Sequence, residues 1–197
     1  MKKILSLVLV VACLGMLFSC NLPFGEGKKN SQGIEAFTAA VENTNPKNIT
    51  VEATVETSLG ELKSIYKINY ADDGSAVIEY TVEKFNAIGE GAEDEIKSTV
   101  TGTVTKAADG TFSGDTNGVD VSGVTAGVKV NVAAMKSYAT FNENNTVLTA
   151  TVAAADTKDV LGSAFSKDVT VVISIAEGVV ELIDLTFEGG SVSYKYD

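Results

Sequence analysis

The side chains from which this chain could draw chemistry are few in kind. Its 197 residues include two cysteines but no histidine, no tryptophan and no arginine, so all 15 basic residues are lysines, set against 26 acids. Without histidine there is no Ser-His-Asp or Cys-His nucleophile pair and no imidazole zinc site. Without arginine there is no bidentate clamp for phosphate or carboxylate. A Ser-Lys dyad and a glycosidase-like carboxylate pair stay formally open, yet neither has a motif. No G-x-S-x-G, P-loop or G-x-G-x-x-G stands between a strand and a helix. Two acid-rich stretches have cation-binding residue types. Glu90 to Glu95 (EGAEDE) reads as a solvated loop. Asp115 to Asp120 (DTNGVD) lacks the full spacing and closing glutamate of a calcium loop, so turn chemistry is the expectation. The composition points to a protein that is not an enzyme and needs no metal or cofactor.

The residue with the clearest chemical setting is Cys20. Upstream of it, Met1-Lys2-Lys3 supplies positive charge and Ile4 to Leu14 an apolar run with only Ser6 polar, the grammar of an export signal. The run is shorter than the roughly 20 apolar residues a spanning helix needs. It closes on Leu17-Phe18-Ser19-Cys20, which resembles the lipobox of bacterial lipoproteins. Leu17 matches the aliphatic first position and Ser19 the small residue before the cysteine, whereas Phe18 stands where a small residue is more usual. The resemblance implies that residues 1–19 are a signal peptide and that Cys20 carries a diacylglycerol on its sulfur. It would then be the new N-terminus and usually take a further acyl chain such as palmitate. Each buried methylene contributes about 0.8 kcal/mol, and one chain alone holds only marginally, so two or three anchor firmly. The alternative is conventional cleavage with Cys20 incidental. On the lipobox reading the protein is anchored by lipid to a membrane of the bacterial cell envelope, on its extracytoplasmic face, inner or outer membrane left open.

Removing residues 1–19 takes away Cys13, Lys2 and Lys3 and no acid, which shifts the formal charge from −11 to −13. The mature chain then has no second thiol for a disulfide and depends on its core. Its negative surface repels nucleic acid. It also offers no polybasic contact to anionic lipid, so the acyl chains on Cys20 are the expected link to the membrane.

The remaining sequence must supply the scaffold. Residues 20–32 read as the lipidated N-terminus and a flexible tether, with Pro23, Gly25 and Gly27 and little to bury; residues 33–197 read as a single β-rich domain. Ile34, Phe37, Ala40 and Val41 fall at helical spacing within Gly33 to Asn43, and Asn45-Pro46 ends that helix. Alternation of period two then marks Ile49 to Thr57, Leu62 to Tyr70, Ala76 to Phe85 and Ile96 to Thr105, the last with Thr99, Thr101, Thr103 and Thr105 on one face. Val147 to Val152, Val169 to Ile175, Val179 to Phe187 and Ser191 to Tyr196 follow. Turns are expected at Asp72-Asp73-Gly74, Asp109-Gly110, Glu177-Gly178 and Gly189-Gly190. A short helix capped by Asp156 is expected over Asp156 to Phe165. Gly118 to Gly127 reads equally as loop, bulged strand or lid. The predicted fold is α+β, mostly β: one long curved antiparallel sheet of about nine strands with an N-terminal amphipathic helix and one short helix.

In layout, the order of lipobox, tether, N-terminal helix, long strands, short helix and final meander is similar to the LolA/LppX type of lipoprotein carrier. That resemblance implies a curved sheet that wraps helices and holds acyl chains in its concavity. On it, the expected function is a lipid-anchored, non-enzymatic protein that binds an apolar ligand or lipid. Phe37 and Val41 on the helix, facing Tyr66, Ile68 or Tyr80 on the sheet, are the candidate contacts. The other class left open is a surface structural or adhesive module, without a cavity, whose threonine-rich faces meet a protein or glycan.

Overall fold

The computed structural model describes residues 26–57, 60–86, 95–125 and 129–197. Cys20, the signal sequence before it and the first part of the tether lie outside the described residues. The elements are α1 (Glu26–Asn43), β1 (Asn48–Thr57), β2 (Gly60–Tyr70), β3 (Ala76–Asn86), β4 (Glu95–Lys106), β5 (Phe112–Gly114), α2 (Ser122–Thr125), α3 (Val132–Met135), β6 (Thr140–Phe141), β7 (Val147–Val152), α4 (Thr157–Leu161), β8 (Val169–Ala176), β9 (Val179–Phe187) and β10 (Gly190–Tyr196). The ten strands belong to one open antiparallel sheet, and the protein is α+β and mostly β. By packing, the chain divides into two compact units: Pro46–Gly127 with Gly189–Asp197, and the helix up to Asn45 with Val128–Glu188.

In the first unit the strand order is β5-β4-β3-β2-β1-β10, so the first and last of the described strands are neighbours. Alternation decides which face is which. Val51, Ala53 and Val55 of β1 are buried while Glu52 and Glu56 are exposed, and Tyr66 and Ile68 of β2 are buried between Lys67 and Asn69. The register stacks like with like across strands. Tyr194, Val51, Tyr66, Tyr80 and Gly102 form one row, and Tyr196, Ile49, Ile68, Ile78 and Val104 the next. On the opposite, wet face Lys67 is paired with Glu79 and Lys63 with Glu83, cross-strand partners of opposite charge that favour this register by roughly 0.2–1 kcal/mol each. The turns close as the sequence indicates. Gly74 and Gly110 take positive φ, and Asp73 and Asp109 each accept from the backbone N–H two residues on, Ser75 and Thr111, at 2.9 Å.

In the second unit the order is β9-β8-β7-β6, and α1 packs on β9, β6 and α3. The buried positions of the helix, Gly33, Phe37 and Ala40, recur at helical spacing on one side. Gly33 is there for proximity: a Cβ built on it would lie 2.5 Å from Cγ of Phe141, so the helix meets the aromatic ring of β6 with nothing between. The other end is tied by Thr44, whose hydroxyl donates to the Ala40 carbonyl at 2.6 Å and accepts from the backbone N–H of Val180 in β9 at 2.8 Å. Leu148, Val152, Val169, Val171, Ile173 and Leu185 fill the sheet side of this core, each at most 1% exposed.

Three local expectations change. The helix begins at Glu26, not Gly33, because its polar first turns carry no apolar spacing to mark them. The helix expected over Asp156 to Phe165 is a 3-10 turn (Ala154–Asp156) running into α4, which stops at Leu161 because Gly162 takes the left-handed conformation, φ 74°. Asp156 does not cap it with its side chain; its carboxylate accepts instead from the Tyr138 hydroxyl at 2.8 Å. The third change is two added strands, β5 and β6, too short to show a period.

Candidate ligand-binding face

The inner face of the first unit carries Val51, Ala53, Val55, Tyr66, Ile68, Ile78, Tyr80, Val82, Val104, Val192 and Tyr194, all at most 9% exposed. Among the described residues of this unit, the segment lying off the sheet is 115–125, a strap that follows β5. Its buried side chains are Val121 and Val124, each 3% exposed. Asp115 accepts from the Asn117 N–H at 2.8 Å, Asn117 takes φ 48° and Gly118 φ 80°, and Asp120 accepts from the N–H of Ser122 at 2.9 Å to start α2. The carboxylates of Asp115 and Asp120 thus serve the turns of the strap, as the sequence suggested.

Tyr80 fastens the strap. Its hydroxyl donates to the Asp115 carbonyl at 3.0 Å and accepts from Nδ2 of Asn117 at 3.1 Å, and the same amide reaches the Thr101 carbonyl at 3.3 Å. The ring reaches that position by lying over Gly102, its cross-strand partner, where a Cβ would come within 2.2 Å of the hydroxyl oxygen. The other tyrosines of the row are placed differently. Burial raises the Tyr66 phenol above its ordinary value; a hydrogen bond with Ser64 works against this and the charge of Asp120 adds to it. Tyr194 is 5% exposed and its phenol is raised, again chiefly by burial. Tyr196, in the neighbouring row, is pushed up to about 12 by burial and by Tyr70.

These phenols bear on alkaline stability. A tyrosine whose folded value exceeds its unfolded value of about 10 binds a proton the unfolded chain has already lost, so stability is fully present below pH ~10 and falls as pH rises through the folded value. In an absorbance titration of tyrosinate, a fraction of the signal is expected to appear only above pH ~11 and to coincide with loss of β-sheet circular dichroism. Ionisation of every tyrosine near the ordinary value with the fold intact would contradict the burial of Tyr194 and Tyr196.

The residues singled out from sequence fall in different units. Phe37 is fully buried and Val41 half-buried on α1, whose packing partners β9, β6 and α3 belong to the second unit; Tyr66, Ile68 and Tyr80 belong to the first. Phe37 is core of its own unit. Glu90 to Asp94 and the side chain of Glu95 lie outside the described residues. Sequence reading missed Tyr194, Gly102 and Asn117. An isolated glycine within the alternating β4 was the available signal for the close approach of Tyr80.

On the wet face of the first unit two shallow grooves open to solvent among the described residues. The larger, about 430 Å³, is lined by Asn48, Thr50, Lys67, Asn69, Glu79 and Asp197. The smaller, about 160 Å³, surrounds Ile65 between Lys63, Glu83 and Thr81. Ile65 and Val77 are 40% and 41% exposed on this face.

No protein-family model matches the chain, and no curated protein is significantly similar to it. Among solved structures, LprF from Mycobacterium bovis is similar over 85% of this chain and 92% of its own, with a TM-score of 0.37 and 10% identity.

Proposed function

We propose that this chain is a non-catalytic bacterial lipoprotein, held to the extracytoplasmic face of an envelope membrane by acyl chains on Cys20, and that it binds an apolar ligand or lipid on the inner face of its first unit. The observation that supports the binding half is the inner face itself, whose rows join Tyr194, Val51, Tyr66 and Tyr80 and, beside them, Ile49, Ile68, Ile78 and Val104. Five strands, β10 and β1 to β4, supply its buried apolar side chains, each at most 9% exposed, and the strap of the same unit adds Val121 and Val124. An acyl chain matches a face of this kind by shape and apolar area alone, and on binding takes the place of what covers it. The addressing half rests on the Leu17 to Cys20 tetrapeptide behind its charged and apolar leader.

Two measurements test the halves separately. Cells grown with an alkyne analogue of palmitate should yield labelled protein, and the Cys20→Ala variant should lose the label; an unlabelled protein, or a label that survives in the variant, refutes the anchor. Native mass spectrometry of protein purified from cells should show co-purified lipid, released on unfolding. A clean mass for the protein alone across preparations counts against binding. A second reading is favoured by Ile65 and Val77, exposed among the threonines of the wet face. It makes that face a contact for a protein or glycan, and predicts that an Ile65→Lys substitution abolishes attachment while leaving lipid content unchanged.

A further inference from the structure

The asparagine that fastens the strap is also the one most open to attack by its own backbone. No other asparagine of the sequence precedes a glycine, and Asn117-Gly118 form the centre of a turn closed by the Val119 N–H on the Thr116 carbonyl at 2.7 Å. Both central residues have positive φ, 48° and 80°, as the tight turns that Asn-Gly favours require. The Gly118 N–H has no hydrogen-bond partner among the described residues, and a Cβ built on Gly118 would meet nothing within 4 Å. The nitrogen next to the Asn117 side chain is therefore neither engaged nor screened. The carboxamide itself is engaged. Its Nδ2 donates to Tyr80 Oη at 3.1 Å and to the Thr101 carbonyl at 3.3 Å, so both of its protons are spent on the sheet. One residue thus supplies the strap's hold on β3 and β4 and the strap's most labile side chain.

We propose that Asn117 is a site of spontaneous deamidation and that its conversion unlatches the strap in one direction. The Gly118 nitrogen attacks Cγ of Asn117 and gives up its proton, the Cγ–Nδ2 bond breaks and ammonia leaves, forming a five-membered succinimide. Water then opens the ring at either carbonyl. The product is aspartate or isoaspartate, and the net change is one water consumed and one ammonia released, with nothing oxidised or reduced. The two bonds from Nδ2 hold the carboxamide on the sheet, so the strap has to lift before the side chain turns to Gly118. After the reaction it does not settle back. An ionised carboxyl only accepts, so both donors are gone and a carboxylate faces the Thr101 carbonyl. The Tyr80 hydroxyl can satisfy that carboxylate only by releasing the Asp115 carbonyl, the strap's other tie. Isoaspartate further adds a methylene to the main chain within a tight turn. The freed segment carries Val121 and Val124, which its release uncovers. The chain thereby holds a timer whose rate is set by how often the strap opens.

Three preparations of the full chain, incubated at one mildly alkaline pH, test this: the native parent, the parent unfolded in guanidinium chloride, and native Tyr80→Phe. Mass mapping of the tryptic segment 107–129, which contains Asn117, reads the replacement of an amide by an acid. Asn117 is expected to react in all three, and more slowly in the native parent than in the unfolded chain. Tyr80→Phe keeps the ring and removes the acceptor, so at unchanged circular dichroism its Asn117 should react about tenfold faster than in the native parent, the effect of one lost hydrogen bond. Asn117→Asp, the product made by substitution, should show faster amide exchange at Val121 and Val124 while the amides of β8 in the second unit keep their protection. That measurement stands whether or not Tyr80→Phe folds. An Asn117 that reacts only in the unfolded chain overturns the site. Equal rates in the native parent and the unfolded chain, or in the native parent and Tyr80→Phe, overturn the restraint by the strap. Unchanged exchange at Val121 in Asn117→Asp overturns the latch.

Discussion

Phe37→Ala is expected to cost about 3–5 kcal/mol of folding stability, the range for removing a fully buried aromatic ring. Phe37 is 0% exposed and lies midway along the helical stripe between Gly33 and Ala40. Neither neighbour can swell to fill the space left: Gly33 is pressed against Phe141, and Ala40 is fixed by the Thr44 and Val180 bonds one turn later. The site therefore collapses little, and the cavity contribution adds to the transfer contribution. Set against a typical total of 5–15 kcal/mol for a domain, this is enough to make the variant marginal. Val41 offers the contrast. It is half-buried on the same helix, and Val41→Ala is expected to cost less than about 1.5 kcal/mol. Urea unfolding followed by circular dichroism measures both. A loss below 1 kcal/mol for Phe37→Ala would mean that α1 is not an integral part of its unit.

Gly102→Val is expected to destabilise by about 1–3 kcal/mol, through overpacking instead of a void. The atoms in the way are Oη, Cζ and Cε1 of Tyr80, at 2.2, 2.4 and 2.7 Å from where a Cβ would stand. Valine is otherwise a good strand residue, so local propensity predicts stabilisation and the ring contact predicts the reverse. The ring cannot simply swing away, because its hydroxyl is bonded to Asp115 and Asn117 and its body is 3% exposed. Moving it releases the strap, so Asn117 and Val121 should show faster amide exchange in the variant. The decisive comparison is a double-mutant cycle. With Tyr80→Ala already in place the glycine has nothing above it, and the cost of Gly102→Val should fall to near zero or change sign. An undiminished cost in that background would place the difficulty in the backbone and not in the ring.

How far such contacts could be read in advance depends on their range along the chain. The odd positions of β1 and the burial of Tyr66 and Ile68 were legible because a half-buried strand writes its two faces into alternate residues. The turns at Gly74 and Gly110 were legible because an aspartate and a glycine at fixed offset serve one geometry. The strands β5 and β6 were not, since two or three residues cannot display a period. Nor was the partner of the helix. The stripe of Phe37 and Ala40 says that α1 lies on something apolar, and several strands offer an equivalent face. The choice of β9 and β6 is made by Thr44, Val180 and Phe141, which are remote in sequence from the residues they meet. The row joining Tyr194, Tyr66, Tyr80 and Gly102 depends on register, which loop lengths and the bulge between Lys84 and Phe85 set, so no single strand announces it.

The neighbourhood of β1 and β10 bears on when the first unit can exist. Ile49 is opposite Tyr196, and the N–H of Asp197 donates to the Asn48 carbonyl at 3.0 Å. Until β10 has been synthesised, β1 has a bare edge where it belongs, and closing that edge joins segments far apart along the chain, the kind of contact that slows folding.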